Sequence, residues 1–172
     1  MGVKIADPSR EVYAFVGDGT YLMMPSEILT SIQEGVKLII VVVDNHGFAS
    51  IGGLSGSLGS GGFGTRFRQR NQQTGQLDGK YLPVDYAANA RSLGAEAVSV
   101  SNLVDFKHAL LSARKAERTY VIVVQADREE RVPGYDSWWD VVVAEVSTMP
   151  DVQKARAYYA SAQKKERYHL KG

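Results

Sequence analysis

The chain has 172 residues, 44% hydrophobic and 23% charged, with a formal net charge of +1 and no cysteine. That is enough for one domain with a real core. It excludes disulfides and thiolate zinc sites, and it gives no whole-surface attraction to nucleic acid or membrane. The longest apolar run, Leu38 to Val43, is far short of the ~20 residues of a membrane helix. With no signal-peptide layout at the N-terminus, a cytoplasmic protein is expected.

Residues 1–10 read as a polar lead, with Asp7-Pro8-Ser9 as a turn. Val12 to Val16 is a short apolar strand. Pro25 opens a helical stretch with Ile28, Leu29 and Ile32 on one side, and Gly35 ends it. Leu38 to Val43 is an unbroken apolar run, β-branched from Ile39 onward, of the kind a buried parallel strand shows. The segment from Phe48 to Gly64 carries seven glycines and is expected to be a long mobile loop. Its Gly59 to Gly64 formally matches GxGxxG, but no strand precedes it. Arg66, Arg68 and Arg70, with Phe63 and Phe67, read as a solvated loop or a lid over an anionic substrate, with nucleic-acid binding the weaker reading.

Asp85 to Leu93 reads as a helix and Ala95 to Val100 as a strand. Asn102 caps a helix over Leu103 to Ala116, with Leu103, Phe106, Leu110 and Ala113 on one face. Tyr120 to Gln125 is a further strand. The alternation predicts a three-layer α/β/α fold, a mostly parallel sheet with helices on both faces. Residues 1–130 are assigned to this unit, and residues 131–172 to a tail of the same domain. Within the tail, Pro133-Gly134-Tyr135 reads as a turn, Trp138-Trp139 as an aromatic pair and Asp151 to His169 as a basic terminal helix.

Gly17-Asp18-Gly19-Thr20 closes one strand, and Asp44-Asn45-His46-Gly47 closes the next. A right-handed β-α-β crossover brings both strand ends to one edge of the sheet, where open α/β sheets bind ligands. Asp18, Asn45 and an exposed carbonyl at Gly47 are hard oxygen donors that suit Mg²⁺ shared with phosphates. The turn after the first strand offers amides and a helix start to an anion. Each motif alone can be a structural turn. A dinucleotide fold also places a glycine turn there, with Asp44 as the ribose acid. It leaves Leu22 in place of the third glycine, and Asp18 as a charge against the pyrophosphate.

At these residues the chain resembles the thiamine diphosphate (ThDP) enzymes, whose signature is Gly-Asp-Gly followed at a distance by Asn-Asn or a variant. Here 24 residues, Thr20 to Val43, fill the gap, and Asp44 stands where the family most often has the first Asn. The resemblance implies ThDP and Mg²⁺ as cofactors. It makes Asp18, Asn45 and Gly47 the metal ligands, the last through its carbonyl. Gly17, Asp18, Gly19, Thr20, Asn45, Gly47 and Phe48 become the cofactor-binding set, with Gly19 and Thr20 on the diphosphate. His46, beside these ligands, is a candidate catalytic proton shuttle because its ordinary pKa lies near working pH.

The stretches Tyr81 to Ala95 and Pro133 to Ser147, with Trp138-Trp139-Asp140-Val141, resemble one branch of that family. Its members hydrolyse a C–C bond of a cyclic 1,2-dione in myo-inositol catabolism. An acetolactate synthase or decarboxylase type is the alternative, and a dinucleotide-binding module a weaker one. The resemblance places the chain as the C-terminal, diphosphate-binding third of a longer enzyme. The glutamate that activates the aminopyrimidine would then come from upstream domains, since Glu11, Glu27 and Glu34 have no reason to face it. A small-molecule cyclic dione as substrate and a homo-oligomer are implied, with the isolated domain inactive and prone to self-association.

Overall fold

In the computed structural model, residues 1–130, 132 and 140–167 are described. The proposed turn at Pro133-Gly134-Tyr135, the Trp138-Trp139 pair and His169 lie outside them. Four strands, β1 (Tyr13–Gly17), β2 (Ile39–Asp44), β3 (Glu96–Val100) and β4 (Tyr120–Gln125), form one sheet in the order β1-β2-β4-β3. Every pairing is parallel, with Gly17 opposite Val43 and Asp44 opposite Gln125. The carboxyl ends of β1, β2 and β4 therefore meet at one edge.

Alternation along the strands separates two cores. Val16, Ile40, Val42, Val121 and Val123 pack on one face against Tyr21, Ile28, Tyr86 and Ala90. These side chains come from α2 (Asp18–Met23), α3 (Glu27–Gln33) and α5 (Tyr86–Ser92). Ile39, Val98, Val100 and Ile122 pack on the other face against Phe106, Ala109 and Ala113 of α6 (Leu103–Lys115). Asn102 caps α6 by accepting the Asp105 amide, as its position predicts. The helices do lie on both faces, as the alternating pattern implies. At the amino end of the sheet, buried Ser31 and Thr119 share a hydrogen bond of 2.8 Å, and Thr119 also accepts the Leu38 amide. This closes the polar groups where β2 begins.

Several expectations need correction. The polar lead contains a short helix, α1 (Gly2–Ala6). The helix expected from Pro25 is two: α2 starts at Asp18 itself, and α3 starts at Glu27 after a break. On α3, Leu29 points outward at 47% exposure, while Ile28 is buried. On α6, Leu103 is likewise exposed. The segment expected to be a loop instead winds into α4 (Ala49–Ser57), despite three glycines in nine residues. Its glycines are not in a left-handed conformation, so nothing in the backbone forbids a helix, and packing at its ends overrides poor propensity. The terminal helix, α7 (Pro150–Gln163), starts at the proline and stops short of the predicted end. Val143, Val152 and Tyr159 make a small core that packs against Leu58 at the end of α4.

Candidate cofactor site

β1 ends in Gly17, whose extended backbone hands the chain directly into α2, so Asp18 stands at the first position of a helix under the sheet edge. Its side chain is fully buried. Oδ2 accepts the Gly47 amide at 2.8 Å and the Tyr86 hydroxyl at 3.3 Å. A buried carboxylate with only these donors retains spare lone pairs.

Those lone pairs face the Asn45 side chain. One terminal atom of that amide lies 3.2 Å from Asp18 Oδ1 and 2.9 Å from the Gly47 carbonyl oxygen. With nitrogen at that point the amide donates to both. With oxygen there, it stands from each of the other two oxygens at about the edge of an octahedron with metal–oxygen bonds of about 2.0–2.1 Å, and only a cation reconciles them. The donor set therefore fits Mg²⁺. Among the described residues no three His, Cys, Asp or Glu side chains cluster as a metal site. A softer all-side-chain site is thus not the competitor here.

Around these oxygens lies a cavity of about 210 Å³ lined by Gly17, Gly19, Thr20, Asn45, Gly47, Phe48, Ala49, Ser50 and Ile51. The structure thus brings together every residue of the predicted cofactor set, with Asp18 beneath the floor. α4 begins in this wall, and no side chain caps its N-terminus, so its first amides are open to an anion. Gly19 is needed for space, because a Cβ there would come within 2.7 Å of the Phe48 ring. Gly47 has φ +139°, and a Cβ would collide with the Thr65 carbonyl. Phe48 in turn meets Phe67 edge to face.

His46 does not line that cavity. It sits in the left-handed region at φ 59°. Its ring stacks on Tyr81 with centroids 4.7 Å apart, and Nδ1 lies 3.4 Å from Asp44 Oδ1. Asp44 is buried, and burial pushes its carboxyl above the usual range. The His46 amide and ring oppose that shift, while the facing Asp18 carboxylate adds to it. Burial first, then Asp18 and Asp44, push the Tyr86 phenol up as well, so it remains a donor.

Sequence reasoning does not find Tyr86 or Arg128. Tyr86 lies inside a helix, 68 residues from the aspartate it bonds, and no local spacing reveals that. Buried Arg128 donates to the carbonyls of Asn45 and Thr65 at 3.2 Å each. The arginines of the basic cluster are taken by their own chain. Arg66 pairs with Glu129 at 2.8 Å, and Arg68 donates to the Gly79 carbonyl at 2.6 Å while lying over the Tyr81 ring. Arg70 donates to the Gly75 carbonyl. They staple the 66–81 segment to itself and to Glu129.

Residues 1–124 match the family model described as "Thiamine pyrophosphate enzyme, C-terminal TPP binding domain". The chain belongs to that family. Two curated relatives bear the name 3D-(3,5/4)-trihydroxycyclohexane-1,2-dione hydrolase, the second with the suffix 1. The first, from Geobacillus thermodenitrificans, is 46% identical and the second, from Bacillus cereus, 44% identical, each over 155 residues. Each alignment covers 90% of this chain and 24% of the relative, so the chain spans about a quarter of their length. Among solved structures, the ThDP-dependent 4-hydroxybenzoylformate decarboxylase of Rhodococcus jostii RHA1 matches with TM-score 0.58 and 24% identity, over 73% of this chain and 21% of that one. Benzoylformate decarboxylase from Polynucleobacter necessarius matches with TM-score 0.58 and 26% identity, over 76% and 22%. The α/β fold with its parallel sheet is the ThDP-enzyme fold, and thiamine diphosphate is the ligand of this family's domain. No helix among the described residues is long and apolar enough to cross a membrane.

Proposed function

We propose that this chain is the diphosphate–Mg²⁺ domain of a ThDP-dependent C–C hydrolase that opens a trihydroxycyclohexane-1,2-dione. The 46% identity over 90% of the chain supports the substrate class, and the convergence of Asp18, Asn45 and Gly47 oxygens supports the site. In this reading Asp18 and Asn45 hold the metal through side-chain oxygens, and Gly47 through its carbonyl. Gly19, the Thr20 hydroxyl and the first amides of α4 take the diphosphate, with Gly17 and Phe48 as walls. When bound, ThDP supplies an electron sink for breaking a bond beside a carbonyl.

The residues of this chain position and neutralise; they do not activate the cofactor. Glu11 pairs with Lys37 at 3.5 Å at the amino end of the sheet, opposite the cavity. Glu34 caps the end of α3, before β2 begins. Glu27 stands in the first turn of α3, and among the described residues no glutamate lines the diphosphate cavity, so the activating carboxyl is assigned to upstream domains. His46, between the two ligands Asn45 and Gly47, is the proton carrier to test, since its ring is 42% exposed and held by Asp44.

The deciding experiment compares the full-length enzyme on the inositol-derived dione, on pyruvate and on benzoylformate. Ring opening of the dione supports the reading. Turnover of a 2-oxo acid instead moves the chain to the synthase or decarboxylase branch. The 172-residue chain alone, given Mg²⁺ and ThDP, is expected to show no turnover, since general acid–base help typically worth about 10²–10⁴-fold is missing.

A further inference from the structure

A second cavity lies on the far side of α4 from the diphosphate walls. It measures about 330 Å³ and is bounded by α4, the 60–66 turn and Arg128. Its side chains are the hydroxyls of Ser57, Ser60 and Thr65 and the guanidinium groups of Arg66 and Arg128; glycines make the rest, with no apolar side chain. An apolar ligand has nothing to meet there. Its volume falls in the range of small-molecule sites.

Arg128 is the unusual member. It is only 8% exposed, yet among the described residues no carboxylate pairs with it. Two of its five N–H groups are used, on the carbonyls of Asn45 and Thr65, and Nε is buried without a partner. The nearby Glu129 is already held by Arg66 at 2.8 Å. Burying an unpaired cation is expensive, and the chain leaves deliberate room for it. A Cβ on Gly52 would stand 2.7 Å from Nη2. Ser60 Oγ accepts from both Ser55 Oγ at 2.6 Å and the Gly62 amide at 3.1 Å, which leaves its own hydrogen to donate. Cations and free donors on a wholly polar wall specify a small oxyanion that also carries hydroxyls.

We propose that this cavity binds a hydroxycarboxylate, with the carboxylate on Arg128 and Arg66 and the hydroxyls on the serine and threonine wall. The choice of a carboxylate over other oxyanions rests on the hydrolase reading. Hydrolysis between two carbonyl carbons breaks that C–C bond and places water's oxygen on one carbon. A hydrogen goes to the other, leaving a carboxylic acid and an aldehyde. The ring-opened product of a hydroxylated dione is therefore a hydroxycarboxylate. A third cavity of about 490 Å³ shares Gly53 and Arg128 with this one and Asn45, Ala49 and Ser50 with the diphosphate cavity, and carries the carboxylates Asp127 and Glu130 in its own lining.

The test titrates D-gluconate calorimetrically into the full-length enzyme freed of ThDP and Mg²⁺, with myo-inositol and inorganic phosphate as parallel probes. The expected result is saturable gluconate binding, roughly ten-fold or more tighter than either other probe. Arg128→Met should weaken it by a similar factor. Gly56→Leu should do the same by filling the cavity. A Cβ on Gly56 meets nothing within 4 Å, so this variant keeps the test open if Arg128→Met misfolds. Absent gluconate binding, equal binding of myo-inositol or phosphate, or unchanged binding in a folded Gly56→Leu would overturn the proposal. ThDP retention is measured alongside. Retention without gluconate binding defeats only this second site, and gluconate binding without ThDP retention defeats only the hydrolase reading.

Discussion

Asp18 Oδ2 accepts the backbone amide of Gly47 at 2.8 Å, tying the end of β1 to the turn that follows β2. In the proposed reading the aspartate has two duties, holding the turn and offering its other oxygen to the metal. Asp18→Asn separates them, since an amide oxygen can still accept from Gly47 but carries no charge. We expect it to stay folded and to lose Mg²⁺-dependent ThDP retention by more than about ten-fold, with Asp18→Ala losing more because the turn is also released. Asn45→Ala should weaken retention less than Asp18→Ala. Thr20→Ala should lose least, about 1.5–3 kcal/mol for one hydroxyl on a charged partner. Calorimetric titration of ThDP at several Mg²⁺ concentrations reads all four, and unchanged retention in Asp18→Ala would refute the metal assignment.

Gly47→Ala should be the most damaging small substitution at the site. It must adopt a φ of +139° and place a methyl against the Thr65 carbonyl, with no flexible side chain to yield. A loss of about 3 kcal/mol or more in unfolding free energy is expected, in line with special-backbone substitutions. Gly19→Ala meets only the Phe48 ring, so it should be milder in stability while still disturbing the cavity wall. Equal melting temperatures for Gly47→Ala and wild type would contradict this packing.

Tyr21 contributes to the alkaline limit alongside Tyr86. It is 5% exposed, its hydroxyl donates to Asn89 Oδ1 at 2.7 Å, and burial pushes its phenol up to about 12. Between pH 10 and 12 the unfolded chain loses this proton while the folded one keeps it. The folded state then binds more protons, and stability falls as pH rises through that window. At 1.36 kcal/mol per unit, the full loss from this group is about 2–3 kcal/mol. Tyr21→Phe should be less stable at neutral pH through the lost hydrogen bond and should flatten the alkaline decline. Urea unfolding across pH 9–12 checks it. A variant that declines as steeply as wild type would count against Tyr21 as the source.

β1 is an edge strand whose second face is open. Tyr13 and Phe15 are 40% and 67% exposed there, beside a sheet otherwise covered by α6. We expect the 172-residue chain to self-associate with rising concentration and Phe15→Glu to suppress this. Sedimentation velocity over a concentration series decides it, and a monomer at every concentration would argue that the face is tolerated bare.

The sheet can be read from the chain because β2 and β4 are continuous β-branched runs and the α6 cap stands at its expected place. That the proposed cofactor set clusters is legible for a different reason. Gly17 to Thr20 and Asn45 to Gly47 are short contiguous motifs whose partners come from the next strand over. What stays hidden depends on distant contacts. Tyr86 is selected by an aspartate 68 positions away, and Arg128 by two carbonyls that only the fold brings near. α4 escapes a sequence reading because glycine content argues against a helix, whereas its ends are pinned by Phe48 and Leu58. The place of the His46 ring, stacked on Tyr81 and beside Asp44, is likewise set by the fold and not by its adjacency to Asn45 and Gly47.

α4 has three glycines and three serines in nine residues and buries none of them, yet both cavities lean on it. Each glycine disfavours the helix by about 1 kcal/mol relative to alanine, so this wall is the least self-sufficient part of the domain. Whichever ligand arrives first must bear the entropy of freezing it, and the second then meets a prepared surface. Binding at the two cavities is therefore expected to be positively cooperative without any movement between defined conformations. Hydrogen exchange across Ala49–Ser57 is its signature: each ligand should slow exchange along the whole helix, including the end it does not touch.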